Sequence, residues 1–398
     1  MFRAALILGL LSAVGPFAID MYLPAMPAIA AGLQADVAAV QATLTAYFVA
    51  FGIAQLFYGP WADQVGRKMP LYAGIAIFTL ATIGCAIASS ITMLIVFRAI
   101  QGLGGAVLMV VPRAVIRDMH TGPAATRLMA MVMLVISVSP MLAPLAGAGL
   151  ITIGDWRLIF WVLTVAALLS LGLTATALPE TLPQDKRVPV NVRNLLRGAK
   201  VLLRDPVFMG LTLVGGFGFS SFMVFIASAS FVYTGQFGLS PAGFSLAFAV
   251  NAIGFFAASQ AAGPMGERYG VLPVIRLAVI GFAAFAIALF ALVWAGIGGL
   301  PVIIGGLFLA NACLGLIIPT TMVMALDPHG DIAGLASSLG GTLQMVTGGA
   351  MVVVTGLFFD GTALPMVGAI ALCAVLTLML ALRTVAVMQH NDAKLAEG

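Results

Sequence analysis

Two charged residues stand inside long apolar stretches of this sequence. Asp20 lies within the apolar segment 4–31, and Arg98 lies several residues inside the segment 92–117. A charged side chain near the middle of a lipid bilayer is costly unless it faces a polar cavity, pairs with another charge or takes up a proton. We therefore interpret Asp20 as a functional carboxyl group, the alternative being an acid at a helix end that merely meets water. Because each is the only residue of its sign deep in the apolar segments, we expect Asp20 and Arg98 to lie close together.

The stretch around Asp20 also contains three prolines, Pro16, Pro24 and Pro27. Proline lacks a backbone N–H group and disturbs a helix. Membrane helices tolerate such a disturbance mainly where the freed backbone groups face protein or a water-filled path. The prolines therefore predict a disturbed first helix, and they favour a functional role for the acid within it.

The composition identifies the elements that must position these two residues. The chain has 398 residues, of which 62% are hydrophobic and 8% are charged, and its mean hydropathy is +1.14. Soluble domains carry about 25% charged residues, so this is a polytopic, all-α membrane protein. Apolar runs of about 20 residues predict twelve transmembrane helices, at 4–31, 39–60, 70–89, 92–117, 125–150, 157–178, 206–232, 241–264, 272–295, 300–326, 332–357 and 364–386.

The charge distribution predicts the orientation of the chain. All Lys and Arg residues except Arg98 and Arg157 fall on one side of the predicted spans. Basic residues concentrate on the cytoplasmic side of membrane proteins, so both termini are expected in the cytoplasm of a bacterium, with the spans in its inner membrane. This distribution accounts for the pI of about 9.1 without a nucleic-acid partner.

Cysteine and histidine provide no chemistry of their own in this sequence. The cysteines lie in apolar runs without paired spacing, which indicates packing rather than disulfides or a metal site. The histidines fall in predicted loops or the tail, where we expect solvated roles. An intramembrane enzyme would need a nucleophile with a base, or a metal cluster, within the membrane; we predict neither, no enzyme activity, no cofactor and no metal. These residues are Cys85, Cys313, Cys373, His120, His329 and His390.

One long connection divides the chain into two sets of six spans. The predicted parts are an N-terminal bundle at 1–178, a cytoplasmic linker at 179–205, a C-terminal bundle at 206–388 and a cytoplasmic tail at 389–398. The linker is rich in basic residues, which is typical of a segment facing lipid headgroups. We predict a short surface helix at 192–203 within it.

The two sets of spans contain a repeated loop. Gly59-Pro-Trp-Ala-Asp63-Gln-Val-Gly66 follows the second span, and Gly263-Pro-Met-Gly-Glu267-Arg-Tyr-Gly270 follows the eighth, with glycines, proline and acid in register. Tandem repeats of this kind are typical of secondary transporters, whose substrate site lies between the two repeats. We therefore predict two pseudo-symmetric six-helix bundles.

The loop Gly59 to Lys68 resembles the signature loop of the major facilitator superfamily. The resemblance implies that Asp63, with Gly59, Gly66, Arg67 and Lys68, forms an inner gate that latches the cytoplasmic ends of the two halves. Candidate partners of Asp63 are the start of span eleven near 331–334 and a basic residue such as Arg113 or Arg117. The alternative is a turn that serves topology only.

Two further segments resemble motifs of the same superfamily. The fourth span carries Arg98, Gln101 and Gly102, followed by Arg113 and Arg117, and the resemblance implies that Arg98 takes part in proton coupling. The fifth span carries Pro140, Pro144 and Gly147, which resemble the antiporter motif, although Ala143 stands where the pattern has glycine. These residues are expected to bend the helix and close the outer end of the pathway.

Together these segments resemble the bicyclomycin and chloramphenicol resistance (Bcr/CflA) family of drug:proton antiporters. The resemblance implies a monomeric transporter that exchanges protons for a small apolar drug or metabolite. Since Asp20 is the only acid found in the spans, a neutral or zwitterionic substrate is expected, because a cation would lack a second carboxylate. An exporter of an endogenous metabolite with incidental drug resistance is the alternative. Polar residues that either line the cavity or bond between helices are Tyr22, Tyr47, Gln55, Asn251 and Gln344.

Overall fold

The protein is described by a computed structural model over residues 2–120, 122–187, 189 and 191–397, with side chains given except at 2, 3, 122–126, 130, 186, 192 and 390–397. Over these ranges the regular secondary structure is entirely helical, which confirms the predicted all-α fold. The side chain of His390 and those of nearly all of the predicted tail lie outside the described residues. The backbone of that tail continues the last helix to Glu397.

The helices fall into two compact units. The first unit comprises Met1–Asn191 with Leu239–Leu246, and the second comprises Val192–Gly238 with Ala247–Gly398. The first unit contains α1 (Phe2–Asp20), α2 (Met26–Gly32), α3 (Val37–Val65), α4 (Lys68–Ala86), α5 (Ile91–Gly105), α6 (Val107–Met119), α7 (Gly122–Ile153) and α8 (Arg157–Thr176). The second contains α9 (Val192–Arg204), α10 (Pro206–Phe231), most of α11 (Pro241–Tyr269), α12 (Val271–Trp294), α13 (Leu300–Leu326), α14 (Ala333–Leu357) and α15 (Ala363–Glu397).

Each predicted span coincides with apolar helix. Eleven apolar helical stretches in the described chain are long enough to cross a membrane, and one of them, Leu300–Leu357, is 58 residues long. A 3-10 segment, Asp327–Ile332, divides that stretch into α13 and α14, because His329 leaves the helical region at φ −115° and ψ 34°. The predicted surface helix in the linker is α9, which begins at Val192 and ends at Arg204.

The first span is interrupted where the prolines predict a disturbance. Helix α1 ends at Asp20, a 3-10 turn occupies Leu23–Ala25, and α2 begins at Met26. Pro24 and Pro27 each stand in the first two positions of the new helical segment, where the missing N–H group would have no partner in any case. The interruption ends the first α-helix at Asp20 itself.

The two repeated segments, predicted as loops, are instead helical up to the residue before their last glycine, since α3 ends at Val65 and α11 ends at Tyr269. They share one backbone feature. Gly66 has φ +99° and Gly270 has φ +86°. Only Arg67 separates Gly66 from α4, and Gly270 directly precedes α12. A side chain would be strained at such angles, so glycine is required for this turn. The sequence repeat is therefore also a repeat of backbone geometry.

A glycine on α7 lets that helix contact the interruption of the first span. A Cβ atom at Gly147 would overlap the carbonyl group of Met21, directly after Asp20. Two residues along the same helix, a Cβ atom at Gly149 would meet no atom within 4 Å. Small residues permit close helix approach in membranes, and Gly147 has this role.

These two glycines predict opposite stability effects. Gly147→Ala forces α7 away from Met21 and should cost about 1–3 kcal/mol, as overpacking does. Gly149→Ala should be neutral or stabilising by up to about 1 kcal/mol, because alanine favours helix. Thermal unfolding of the two purified variants in detergent measures both effects. Equal midpoints for the two variants would contradict the close approach of α7 to Met21.

Candidate functional site

A fully buried guanidinium group forms the centre of the first unit. Arg98, on α5, has 0% of its surface exposed. Its Nη1 donates hydrogen bonds to the carbonyl oxygen of Ala18 on α1, at 3.2 Å, and to Oε1 of Gln101, at 2.6 Å. Gln101 in turn donates to the Thr82 hydroxyl of α4 at 2.8 Å. One arginine thereby connects three helices.

Two tyrosines enclose the same guanidinium group. Its central carbon lies 4.7 Å from the ring centroid of Tyr22 and 4.5 Å from that of Tyr47. Cations are attracted to aromatic ring faces at such distances, more strongly where water is absent. The Tyr22 hydroxyl also forms a 2.6 Å hydrogen bond with Thr43 on α3. The rings stabilise the positive charge without neutralising it.

The hydrogen bonds of Arg98 are incomplete. Its Nε and Nη2 atoms are buried and have no hydrogen-bond partner among the described residues, and the same holds for the Tyr47 hydroxyl. Native proteins rarely leave buried polar groups unpaired, and each such group invites a functional explanation. Two donors of a buried cation are therefore available to an acceptor that enters this site.

Asp20 lies beside this group without pairing to it. The carboxyl group is 5% exposed at the end of α1, two residues after the Ala18 carbonyl that Arg98 contacts. The described residues form four ion pairs, and none of them involves Asp20 or Arg98. The Ser139 side chain on α7 lies near the carboxyl group. Asp20 and Arg98 both act electrostatically on the buried Tyr47 hydroxyl, so they belong to one buried site, in which they are not paired.

Glycines on α5 place Arg98 over Tyr47. A Cβ atom at Gly102 would overlap the backbone carbonyl of Tyr47, and one at Gly105 would lie 2.8 Å from the Tyr47 hydroxyl. The two helices can therefore pack with their backbones in contact, which only residues without a side chain allow. The fourth-span motif thus combines a charge with the glycines that bury it.

The loop after the second span contains a separate charged cluster. Arg67 is buried, and it forms ion pairs with Asp63, at 2.5 Å, and with Asp118 of α6, at 2.7 Å. Burial alone would lower the pKa of Arg67, but its hydrogen bonds to Asp118 and Asp63 raise the pKa and keep it charged. Asp63 therefore pairs with Arg67 here, rather than with Arg113 or Arg117, and its side chain remains 53% exposed.

Glu180, which follows α8 in the sequence, is a further member of this charged cluster. Its carboxylate accepts hydrogen bonds from the backbone N–H groups of Arg67, at 2.9 Å, Lys68, at 3.1 Å, and Leu182, at 3.0 Å. Burial would raise the pKa of Glu180, but these donors and the charge of Arg187 hold it below its ordinary value. A Cβ atom at Gly66 would lie 2.7 Å from the same carboxylate, so the glycine turn also makes room for it.

The remaining predicted site residues have contacts and surroundings of their own. Pro140 and Pro144 are buried in α7, and the Pro144 carbonyl accepts a 3.0 Å hydrogen bond from Ser245, in the segment 239–246 of the first unit. Gln55 is half-buried on α3. In the second unit, Asn251 accepts a 3.4 Å hydrogen bond from Asn311, and Gln344 lines a cavity with Thr212 and Thr321. Arg113 is half-buried and Arg117 exposed on α6.

Sequence reasoning missed several partners of these residues. Thr43, Thr82 and Ser139 contact the buried site, and Asp118 and Glu180 complete the loop cluster. Hydroxyl groups are frequent in membrane helices, so their residue type gives no signal. Glu180 did give one: it is an acid directly after the sixth span, on the same predicted side as Arg67.

The solvated role predicted for His329 is wrong. Its side chain is 13% exposed, and its Nε2 lies 2.9 Å from Oδ2 of Asp205. The ring also packs edge-on against Phe208, with centroids 5.6 Å apart. The partners are 124 residues distant in the sequence, so a loop histidine could not be distinguished from a paired one by its local context.

Comparison with known proteins identifies the family. A profile of the major facilitator superfamily matches residues 8–351. The chain belongs to this superfamily. It is 34% identical to the MFS-type transporter YdgK of Bacillus subtilis (91% of this chain, 90% of the relative), 28% to a bicyclomycin resistance protein homolog of Haemophilus influenzae (94% of each), and 31% to multidrug resistance protein D of Escherichia coli (94% and 92%).

The solved structures agree on the fold. A D-xylose-proton symporter superposes with a TM-score of 0.75 over 96% of this chain and 97% of its own, at 14% sequence identity. The predicted resemblance to the Bcr/CflA family is confirmed, because the relatives include proteins named for bicyclomycin resistance and for multidrug resistance. The protein is a multi-pass membrane transporter of the major facilitator superfamily, not an enzyme.

The Glu180 contacts predict a pH-dependent contribution to stability. Because the folded-state pKa lies below its ordinary value of 4.5, the ionised group stabilises the folded transporter above that value, and this contribution is lost as the pH falls through the folded-state pKa. Glu180→Gln should therefore lower the thermal midpoint at pH 7, and its effect should diminish as the pH falls below 4.5. Thermal unfolding across this range checks it.

Glu267→Gln is the control, since Glu267, which corresponds to Asp63 in the second repeat, is exposed. It should leave the midpoint unchanged at both pH values. A pH-independent loss of stability in Glu180→Gln would contradict a role for the carboxylate charge.

Proposed function

We propose that this transporter exports small neutral or zwitterionic apolar compounds, phenicol-like or bicyclomycin-like, in exchange for protons by alternating access. The observation that carries the proposal is the unpaired arrangement of Asp20 and Arg98 in one buried site. Among acids whose side chains are described, Asp20 alone is buried. An ionised carboxylate in that place is costly unless it is paired, so proton binding and release offer it two stable states.

The geometry suggests what each residue does during exchange. With Asp20 protonated, Arg98 keeps its bonds to the Ala18 carbonyl and to Gln101, as in this structure. When the proton leaves, the new carboxylate needs a partner, and the unpartnered Nε and Nη2 groups of Arg98 are available as donors. Forming that ion pair would pull on the interruption between α1 and α2. In this way proton release is coupled to a backbone movement.

The substrate class follows from charge and from the relatives. A cationic substrate buried beside Arg98 would need a carboxylate of its own, and Asp20 is assigned to the proton. The relatives named for resistance to bicyclomycin and to multiple drugs support a drug-like substrate. We place the transporter in the bacterial inner membrane with both termini in the cytoplasm, on the distribution of its basic residues, and we propose that it acts as a monomer.

The first test replaces the proposed proton carrier. Asp20→Asn should abolish proton-driven efflux while preserving substrate binding, because the amide imitates the protonated acid. Resistance is measured in a strain that lacks its own drug pumps, and substrate binding is measured with the purified protein in detergent. Asp36→Asn is the control: Asp36 caps α3 by accepting from Ala39 at 2.7 Å, and asparagine caps helices about as well. Full resistance with Asp20→Asn would refute the assignment.

The second test concerns charge movement. Exchange of one proton for one uncharged molecule moves net charge, and a charge crossing the membrane is worth about 2.3 kcal/mol per 100 mV. Collapsing the membrane potential with valinomycin and potassium, at constant pH gradient, should therefore slow export from proteoliposomes. If the export rate does not change when the membrane potential is collapsed, the substrate is cationic or the exchange is not one proton for one molecule.

A further inference from the structure

Helix α9 presents all of its basic residues on one face. At about 100° per residue, Arg193, Arg197, Lys200 and Arg204 fall within a sector of about 60°. All four side chains are exposed, and none belongs to an ion pair of the described residues. Four unpaired charges on one helix face form a surface for an anionic partner.

The opposite side of α9 is fixed to the second unit. Leu202 is buried in an apolar cluster with Phe208 of α10 and Ala336 of α14. A Cβ atom at Gly198 would lie 2.7 Å from the Leu335 side chain, so the glycine permits close packing there. This docked face determines which way the remaining faces of α9 point.

An apolar stripe lies between the docked face and the basic face. Leu196 is 67% exposed and Leu203 is 49% exposed, and both fall on this stripe by their helical positions. On the far side of the basic face, Val201 is also exposed. A helix with adjoining apolar and basic faces is typical of segments that lie in a membrane interface.

The connection to α10 places α9 at the membrane boundary. Only Asp205 separates the two helices. Its carboxylate accepts hydrogen bonds from the N–H groups of Val207, at 2.8 Å, and Phe208, at 3.2 Å, which fixes the first turn of a span. The same carboxylate contacts His329, and this ties α9 to the turn between α13 and α14.

We propose that α9 is a binding site for anionic phospholipid headgroups. Leu196 and Leu203 would enter the edge of the acyl-chain region, and the four basic residues would contact phosphate groups beside them. Membrane surfaces attract basic segments by about 1 kcal/mol per residue. A nucleic-acid partner would explain the charges but would leave the exposed leucines in water.

The test uses the full chain in nanodiscs of phosphatidylcholine with increasing phosphatidylglycerol. An environment-sensitive dye is attached to Leu196→Cys or, for comparison, to Val201→Cys. Both are made with Cys313→Ala, since Cys85 and Cys373 are buried. The dye at 196 should be quenched by brominated lipid and the dye at 201 by aqueous iodide. Quenching at 196 should increase with phosphatidylglycerol and fall in high salt.

The charge requirement is tested with two triple variants. Arg193→Gln, Arg197→Gln and Lys200→Gln together should weaken the response to phosphatidylglycerol by about fivefold per residue. The control replaces three exposed arginines elsewhere, Arg127, Arg268 and Arg383, and should respond as the unmodified chain does. Equal weakening in both triples would overturn the proposal. Shielding of position 196 from both quenchers would also overturn it, because protein rather than lipid would then cover the stripe.

Discussion

Burial of the Arg98 guanidinium group is the constraint on which the first unit depends. A cation without water needs acceptors and polarisable neighbours from the protein itself. Four helices supply them: α1 with the Ala18 carbonyl, α5 with Gln101, α4 with Thr82, which accepts from Gln101, and α3 with the ring of Tyr47. Gly102 lets α5 approach Tyr47 closely enough for that contact. The packing of these helices therefore stabilises the buried positive charge of Arg98.

The hydrogen bonding of the Arg98 guanidinium group is nevertheless incomplete. Two nitrogen atoms of Arg98, Nε and Nη2, have no hydrogen-bond partner among the described residues, and the nearby acid, Asp20, is not paired with the guanidinium group. A buried donor without an acceptor is costly, so a rearrangement that supplied an acceptor would be favoured at this site. The unpaired atoms lie close to the interruption of the first span, where α1 ends and a 3-10 turn follows.

The sequence predicted elements well and partners poorly, for one physical reason. Apolar runs, the glycine turns at Gly66 and Gly270 and the disturbed helix near Pro24 are local features, and local chemistry determines them. Partners depend on which helices pack together. Glu180 binds the backbone of Arg67 across 113 residues, and its position after the sixth span indicated only the side of the membrane on which it lies. His329 pairs with Asp205 across 124 residues, so its partner could not be assigned from its neighbours in the sequence. Asp63 was predicted to pair beyond its own loop, yet its ion pair is with Arg67, four residues away.

The two repeats also show that equal backbone geometry does not give equal electrostatics. In the first unit, Arg67 is buried and paired with two acids after its glycine turn. At the corresponding turn of the second unit, Arg268 is exposed and contacts only the ring of Tyr269 among the described contacts. The second unit has a part-buried polar pair elsewhere, between Asp205 and His329. The sequence repeat therefore reproduces the backbone turn, whereas the ion pairs depend on which side chains the packing of each unit brings to that turn.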